Sequence, residues 1–287
     1  MQLSLLERSR LTRPQLADEE HVALIAADVV RELDEHPPIS LDVVASFRDI
    51  AKIKTEPMSC AGSLTREPSG FVIRLRASDS PRRRRFSGFH EVGHTFLPGY
   101  ADVPQYRCQP VARTRERVDE ESLSDVAAAE LILPRRYVSA DLAAADFGLD
   151  TVVELAEKYE ASVQASAHRF VQLWPEPALL VLLQPALKPS ELGAADAEEK
   201  LRVVWAHGRG RWPFIPKHKS AAEGGALTRA LDGEVVDERT TLADLAAGDD
   251  AVDVSTRVFH YRAADGELRP QVLALYRRTP PQPLARR

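Results

Sequence analysis

Apolar positions along the chain follow two rhythms, and each predicts a different kind of element. Residues 18–35, DEEHVALIAADVVRELDE, repeat every three to four positions with acidic residues in the first turn, which predicts a helix stopped by HPP. LDVVASFRDI predicts a second, short helix. From Cys60 to Ala77 the rhythm shortens. There CAGSLTREPSGFVIRLRA predicts two strands joined by a turn at Glu67-Pro68-Ser69-Gly70, the second strand, Phe71 to Leu75, being apolar and β-branched. Ser80 and Pro81 are helix-start signals, and the helix they open stops near Pro98-Gly99. A coil rich in Pro, Gln and Arg runs to about Arg115. RVDEESLSDVAAAELIL then predicts a helix ending at Pro134, its alanines suited to close packing against a neighbour.

Asp150 to Trp174 predicts two short helices split near Glu160-Ala161-Ser162, a helix-turn-helix-like segment. Beyond Pro175 and Pro177 the texture changes: LLVLL, LRVVWAH, TRVFHYRA and QVLALYRR read as strands between Gly- and Asp-rich turns. KPSELGAADAEEK reads as a surface loop or hinge, and TPPQPLARR as a disordered tail. With 287 residues, two or three domains are expected. The fold class is α+β, with boundaries expected at 1–147, 148–175 and 176–287.

Bulk composition narrows the function. A net charge of -5 argues against a whole-molecule footprint for nucleic acid. Two cysteines, Cys60 and Cys108, are too few for a disulfide scaffold and are read as free thiols. MQLSLLERSRLTRPQ lacks the apolar core and cleavage site of a signal peptide, and PALLVLLQPA is too short to span a bilayer. A cytoplasmic protein without membrane contacts is expected.

The candidate chemistry lies in FSGFHEVGHTF. On a helix, His90 and His94 share one face a turn apart and can aim two imidazoles at one metal ion, while Glu91 reaches its open side. This is the HExxH arrangement of two ligands and a general base. A catalytic metal needs a third protein ligand. On the next strong helix, EESLSD places Glu121 and Asp125 four residues apart on one face. One of the two can ligate while the other holds a ligand histidine by its second nitrogen; a solvated helix-start glutamate is the competing reading of Glu121.

RRFSGFHEVGH followed by ExxxDxAAAELILP resembles the ImmA/IrrE family of metallo-endopeptidases, whose members carry a segment like RFTLAHELGH and then a helix like ExEANxFAAxLLMP. Arg85-Phe86 matches the lead-in, His90-Glu91-Val92-Gly93-His94 the metal helix and Leu131-Ile132-Leu133-Pro134 the helix end. Leu123 replaces a frequent second glutamate, and Ala127 a frequent Phe. The resemblance implies a zincin-like peptidase domain whose metal binds His90, His94 and Glu121, with Asp125 behind a ligand and Glu91 as the base that activates water. Zinc is the default metal, and a His/His/Glu site also takes manganese. In zincin-type proteases the strand before the metal helix borders the cleft, so Gly70, Phe71, Val72 and Ile73 are candidates for pairing with substrate backbone, against an ordinary interior strand. His168 and Tyr137 are weaker candidates for oxyanion support.

The family further implies a protein substrate, typically a helix-turn-helix repressor cleaved to induce a stress or mobile-element response. Some members carry a GAF-like sensor at the C-terminal end, where Trp205, Trp212, Phe214 and Tyr261 are candidates for a ligand pocket or a core. The alternative is a DNA-binding or protein-binding transcription regulator with a structural metal site, suggested by the split helix and by Arg82 to Arg85. Direct DNA binding is not expected. The second helix offers few phosphate contacts, and the arginines read better as a solvated or ion-paired face, with Asp119 to Glu121 as available partners.

Overall fold

The structure is a computed structural model, and it describes residues 3–100, 105–107, 115–191, 197–262 and 266–278. In chain order its elements are helices α1 (Leu5–Thr12), α2 (Asp18–Glu32) and α3 (Leu41–Phe47), and strands β1 (Ile50–Glu56), β2 (Gly62–Glu67) and β3 (Gly70–Arg76). Helix α4 (Pro81–His94), strand β4 (Gln105–Arg107) and helices α5 (Arg115–Ile132), α6 (Arg135–Leu142), α7 (Leu149–Lys158) and α8 (Val163–Leu173) follow. The remainder is β5 (Ala178–Ala186), β6 (Lys200–Arg209), α9 (Ala226–Leu231), β7 (Val236–Thr241), β8 (Ala251–Arg262) and β9 (Leu268–Arg278). The chain is mixed α+β, as expected. Cys108 and the 279–287 tail lie outside the described residues, and Cys60 is a free thiol.

The described residues form two compact units, 1–140 with 154–166, and 141–153 with 167–287. The division falls differently from the three segments expected from sequence, because residues 148–175 are shared between the two units.

In the first unit the sheet order is β1-β3-β2-β4. β2 and β3 form the expected antiparallel hairpin, closed where Gly70 takes φ +120°, a conformation glycine adopts at little cost. β1 adds in parallel to the other edge of β3. Parallel pairing needs a long connection, so β1 carries no local hairpin signal. The apolar residues Leu64, Val72, Ile73 and Leu75 are buried.

Helix α4 starts as the sequence predicts. Ser80 Oγ accepts from the Arg83 amide at 3.3 Å, and Pro81 opens the first turn, where no amide is needed. At the other end Arg48 donates to Thr95 Oγ1 at 3.1 Å and to its carbonyl at 3.0 Å, placing a cation where the helix dipole favours one. The four arginines at its start find partners elsewhere than Asp119 to Glu121. Arg82 pairs with Glu157 at 2.8 Å, Arg84 donates to the carbonyls of Ala77 and Asp79, and Arg85 lies over the Phe89 ring with Glu160 at 4.0 Å. Arg83 lies over the Phe86 ring, so ion pairs, backbone carbonyls and aromatic rings share the four guanidinium groups.

The second unit is an antiparallel sheet of order β6-β5-β9-β8-β7. One face packs Leu179, Val181, Val254, Val272 and Tyr276 against Leu227 and Ala230 of α9. The alternate residues Leu180, Leu182, Leu273 and Leu275 are buried as well, which explains why LLVLL reads as an uninterrupted apolar run. Three of the four candidate aromatics are spread apart: Trp212 packs on this core, Trp205 lies against His168, and Phe214 is 85% exposed. Among the described residues no helix is long and apolar enough to cross a membrane.

Candidate metal centre

His90, Glu91 and His94 all lie in the buried C-terminal half of α4. The i, i+4 spacing sets the two imidazoles together, ring centroids 4.9 Å apart and nearly perpendicular. Helix α5 runs alongside, and glycine permits the approach. A Cβ on Gly93 would meet Ala127 Cβ at 2.9 Å and Ser124 Cα and O at 3.0 Å. Ala127, where a larger residue is common in the resembling family, is therefore the partner of a bare backbone, and it is fully buried.

This contact brings Glu121 to the histidines. Its carboxylate oxygens lie 3.1 Å from His90 Nε2 and 3.9 Å from His94 Nε2. One donor atom from each of the three residues lies within 4.8 Å of the others. Two donors about 2.0–2.1 Å from a tetrahedral ion stand roughly 3.3 Å apart, so the set fits a divalent cation. The nitrogens facing away are also engaged. Asp125 Oδ1 lies 2.8 Å from His90 Nδ1, and Ser124 Oγ 3.1 Å from His94 Nδ1. A carboxylate only accepts, so Asp125 fixes the proton of His90 on Nδ1 and leaves Nε2 free to ligate.

The electrostatics favour positive charge here. Burial works against a charged His90, but its hydrogen bonds to Asp125 and Glu121 outweigh that and raise its pKa to about 10. Surroundings that attract a proton this strongly attract a metal cation too.

Glu91 is 2% exposed, pressed against β2. Its carboxylate is hydrogen-bonded to the Leu64 backbone, and a Cβ on Gly62 would stand 2.8 Å from its Oε1. Burial, opposed by His90, lifts its pKa to about 8. Its Oε2 is buried and has no hydrogen-bond partner among the described residues. Such an orphan acceptor is costly unless it serves a reacting group. A general base beside a metal is one such case.

The expectation for Gly70, Phe71, Val72 and Ile73 is overturned. β3 is interior, paired with β1 on one side and β2 on the other, so its backbone groups are already used. The strand beside Glu91 is β2, and β4 pairs with it across Ser63 to Thr65. Tyr137 donates its hydroxyl to the Glu35 carbonyl at 2.9 Å, a structural use. His168 belongs to the second unit, where it packs on Trp205 and His207. Sequence reasoning missed Ser124, Gly62 and Arg48; only the spacing of Ser124, three residues after Glu121, carried any signal.

Two histidines one turn apart, a carboxylate from a second helix and a buried glutamate beside them make a candidate metal centre. In comparison with known proteins, residues 44–171 match the Peptidase_M78 model, described as the IrrE N-terminal-like domain. The chain is 28% identical over 134 residues to the radiation response metalloprotease IrrE of Deinococcus radiodurans, a match covering 46% of this chain and 40% of that relative. The chain thus spans less than half the length of this curated relative. A solved structure of a Mycobacterium tuberculosis transcriptional regulator shares the fold, with a TM-score of 0.58 and 11% identity over 95% of this chain and 80% of that one.

Proposed function

We propose that this protein is a metal-dependent endopeptidase, zinc being the default metal and manganese the second choice. The observation that carries the reading is the convergence of His90, His94 and Glu121 beside a buried Glu91, one of whose carboxylate oxygens has no partner among the described residues. His90, His94 and Glu121 would hold the ion, with Asp125 orienting His90. When bound, such an ion supplies Lewis acidity, polarising a carbonyl and acidifying water. Glu91 takes the proton of the attacking water and passes it to the leaving amine, and its raised basicity suits that work.

The substrate we propose is a helix-turn-helix repressor, whose cleavage induces a stress or mobile-element response in the cytoplasm. The name of the Deinococcus relative, a radiation response metalloprotease, supports this direction. The antiparallel five-stranded sheet of the second unit supports a GAF-like sensory role for it.

The test is cleavage of a repressor encoded beside this gene, comparing wild type with Glu91→Gln, both loaded with zinc. Cleavage by wild type alone is expected. Equal cleavage by both proteins refutes Glu91 as the base. The competing reading is a DNA-binding regulator, suggested by the split helix of α7 and α8. It requires a salt-dependent, sequence-selective mobility shift, and no shift at low salt is expected.

A further inference from the structure

Helix α5 presents two adjacent side chains to the remote nitrogens of two imidazoles. One is Asp125, half exposed and charged. The other is Ser124, fully buried and neutral, its Oγ 3.1 Å from His94 Nδ1. A buried hydroxyl needs a partner, and this one has a histidine of the metal helix. Its place is fixed by more than that bond. Ser124 Cα and O form the surface on which Gly93, the residue before His94, makes its close approach. Backbone packing thus sets the Oγ–Nδ1 distance, and the serine side chain has little room to wander.

We infer that Ser124 is a positioning residue of the metal centre: it accepts the Nδ1–H of His94 and so holds the tautomer and ring angle that leave Nε2 free for a divalent cation. The inference rests on the metal-centre reading above. A hydroxyl accepts as readily as it donates, and with Nε2 on a metal the only proton left on the ring is at Nδ1. The pair is asymmetric by construction. His90 has a carboxylate behind it, which adds negative charge at the exposed side of the centre. His94, 2% exposed, has a neutral partner, which orients the ring without burying a second carboxylate beside Glu91.

The test is zinc affinity, measured by competition with a chromophoric chelator on the full chain, for wild type, Asp125→Ala and Ser124→Ala. Wild type is expected to bind one zinc. Ser124→Ala is expected to bind one zinc about 10–100-fold more weakly, the usual loss when a ligand histidine loses its outer partner. Its cobalt(II) form is expected to show a shifted ligand-field band. The metal-free Ser124→Ala protein should unfold a few degrees below wild type, because a buried hydrogen bond to His94 is lost, so the zinc affinity and the cobalt band carry the test. A lowered metal-free unfolding temperature with unchanged affinity and an unchanged cobalt band marks a purely structural serine and overturns the inference. An affinity within twofold of wild type overturns it as well. If wild type binds no zinc, the metal-centre reading itself fails and this inference falls with it.

Discussion

Gly93→Ala tests whether the approach of α4 to α5 builds the metal centre. The new methyl would stand 2.9 Å from Ala127 Cβ and 3.0 Å from Ser124 Cα and O. Ordinary carbon contacts are about 3.5–4.0 Å, so the two helices must part by roughly 0.5–1 Å at this crossing. None of the three atoms is the tip of a flexible side chain, so no rotamer change relieves the clash. Overpacking of this kind costs about 1–3 kcal/mol, while replacing a helical glycine returns about 1 kcal/mol, for a net loss of about 0–2 kcal/mol. The same separation draws Glu121 on α5 away from His90 and His94 on α4. Zinc affinity should fall at least ~10-fold, because metal sites tolerate only about 0.2 Å of error in ligand distance. The assay is urea unfolding of the metal-free protein with a parallel zinc competition. Gly88→Ala is the control. There the methyl meets the Leu41 side chain, which can swing aside, and zinc affinity should stay within twofold of wild type. Unchanged stability together with unchanged zinc affinity in Gly93→Ala would falsify the argument that this contact sets the ligand geometry.

Gly62→Ala should push the Glu91 carboxylate back by about half an ångström and slow cleavage roughly tenfold at unchanged zinc content; loss of zinc instead would mean that the strand supports the ligands rather than the base. Arg48→Met removes both donors at the end of α4 and should lower stability by about 1–3 kcal/mol in urea. An unshifted midpoint would show that the guanidinium holds nothing there. His168 has its pKa pushed down to about 4 by burial and then by His207. A depressed histidine pKa means that the unfolded chain takes up the proton first, so this stability is present above about pH 6.5 and is lost as pH falls towards 4. Between pH 7 and 5 the wild type should lose on the order of 1–2 kcal/mol more than His168→Gln, read by denaturant unfolding at each pH; equal losses would show that His168 is not the group that charges.

The parts legible in the sequence are those whose signal is local. His90, Glu91 and His94 occupy one helix, so their spacing alone put them on one site, and Glu121 and Asp125 became visible as a pair on one face of the next. The β2–β3 hairpin announced itself through Pro68-Ser69-Gly70. Glu160 breaks the α7–α8 pattern with φ 50°, although a glycine would do so at less cost. What stayed hidden depends on contacts distant in sequence. β1 buries only Ile50 fully, and its partner is a parallel strand, so IAKIKTE has no strand rhythm. Without β1, β3 reads as an open edge free to pair with a substrate backbone, which its pairing with both β1 and β2 excludes. β7 is polar apart from Val236 and α9 is six residues long, so neither rises above its surroundings. Ser124 looks like any helical serine until α4 is laid against it.

The central claim is that His90, His94 and Glu121 hold one catalytic metal, and anomalous diffraction at the zinc edge from zinc-loaded crystals tests it most directly. The account predicts a single peak about 2.0–2.2 Å from His90 Nε2, His94 Nε2 and a Glu121 oxygen, with Asp125 on His90 Nδ1 and Glu91 outside the ligand set. A peak ligated by Asp125 or Glu91 in place of Glu121, or no peak at this site, would contradict it.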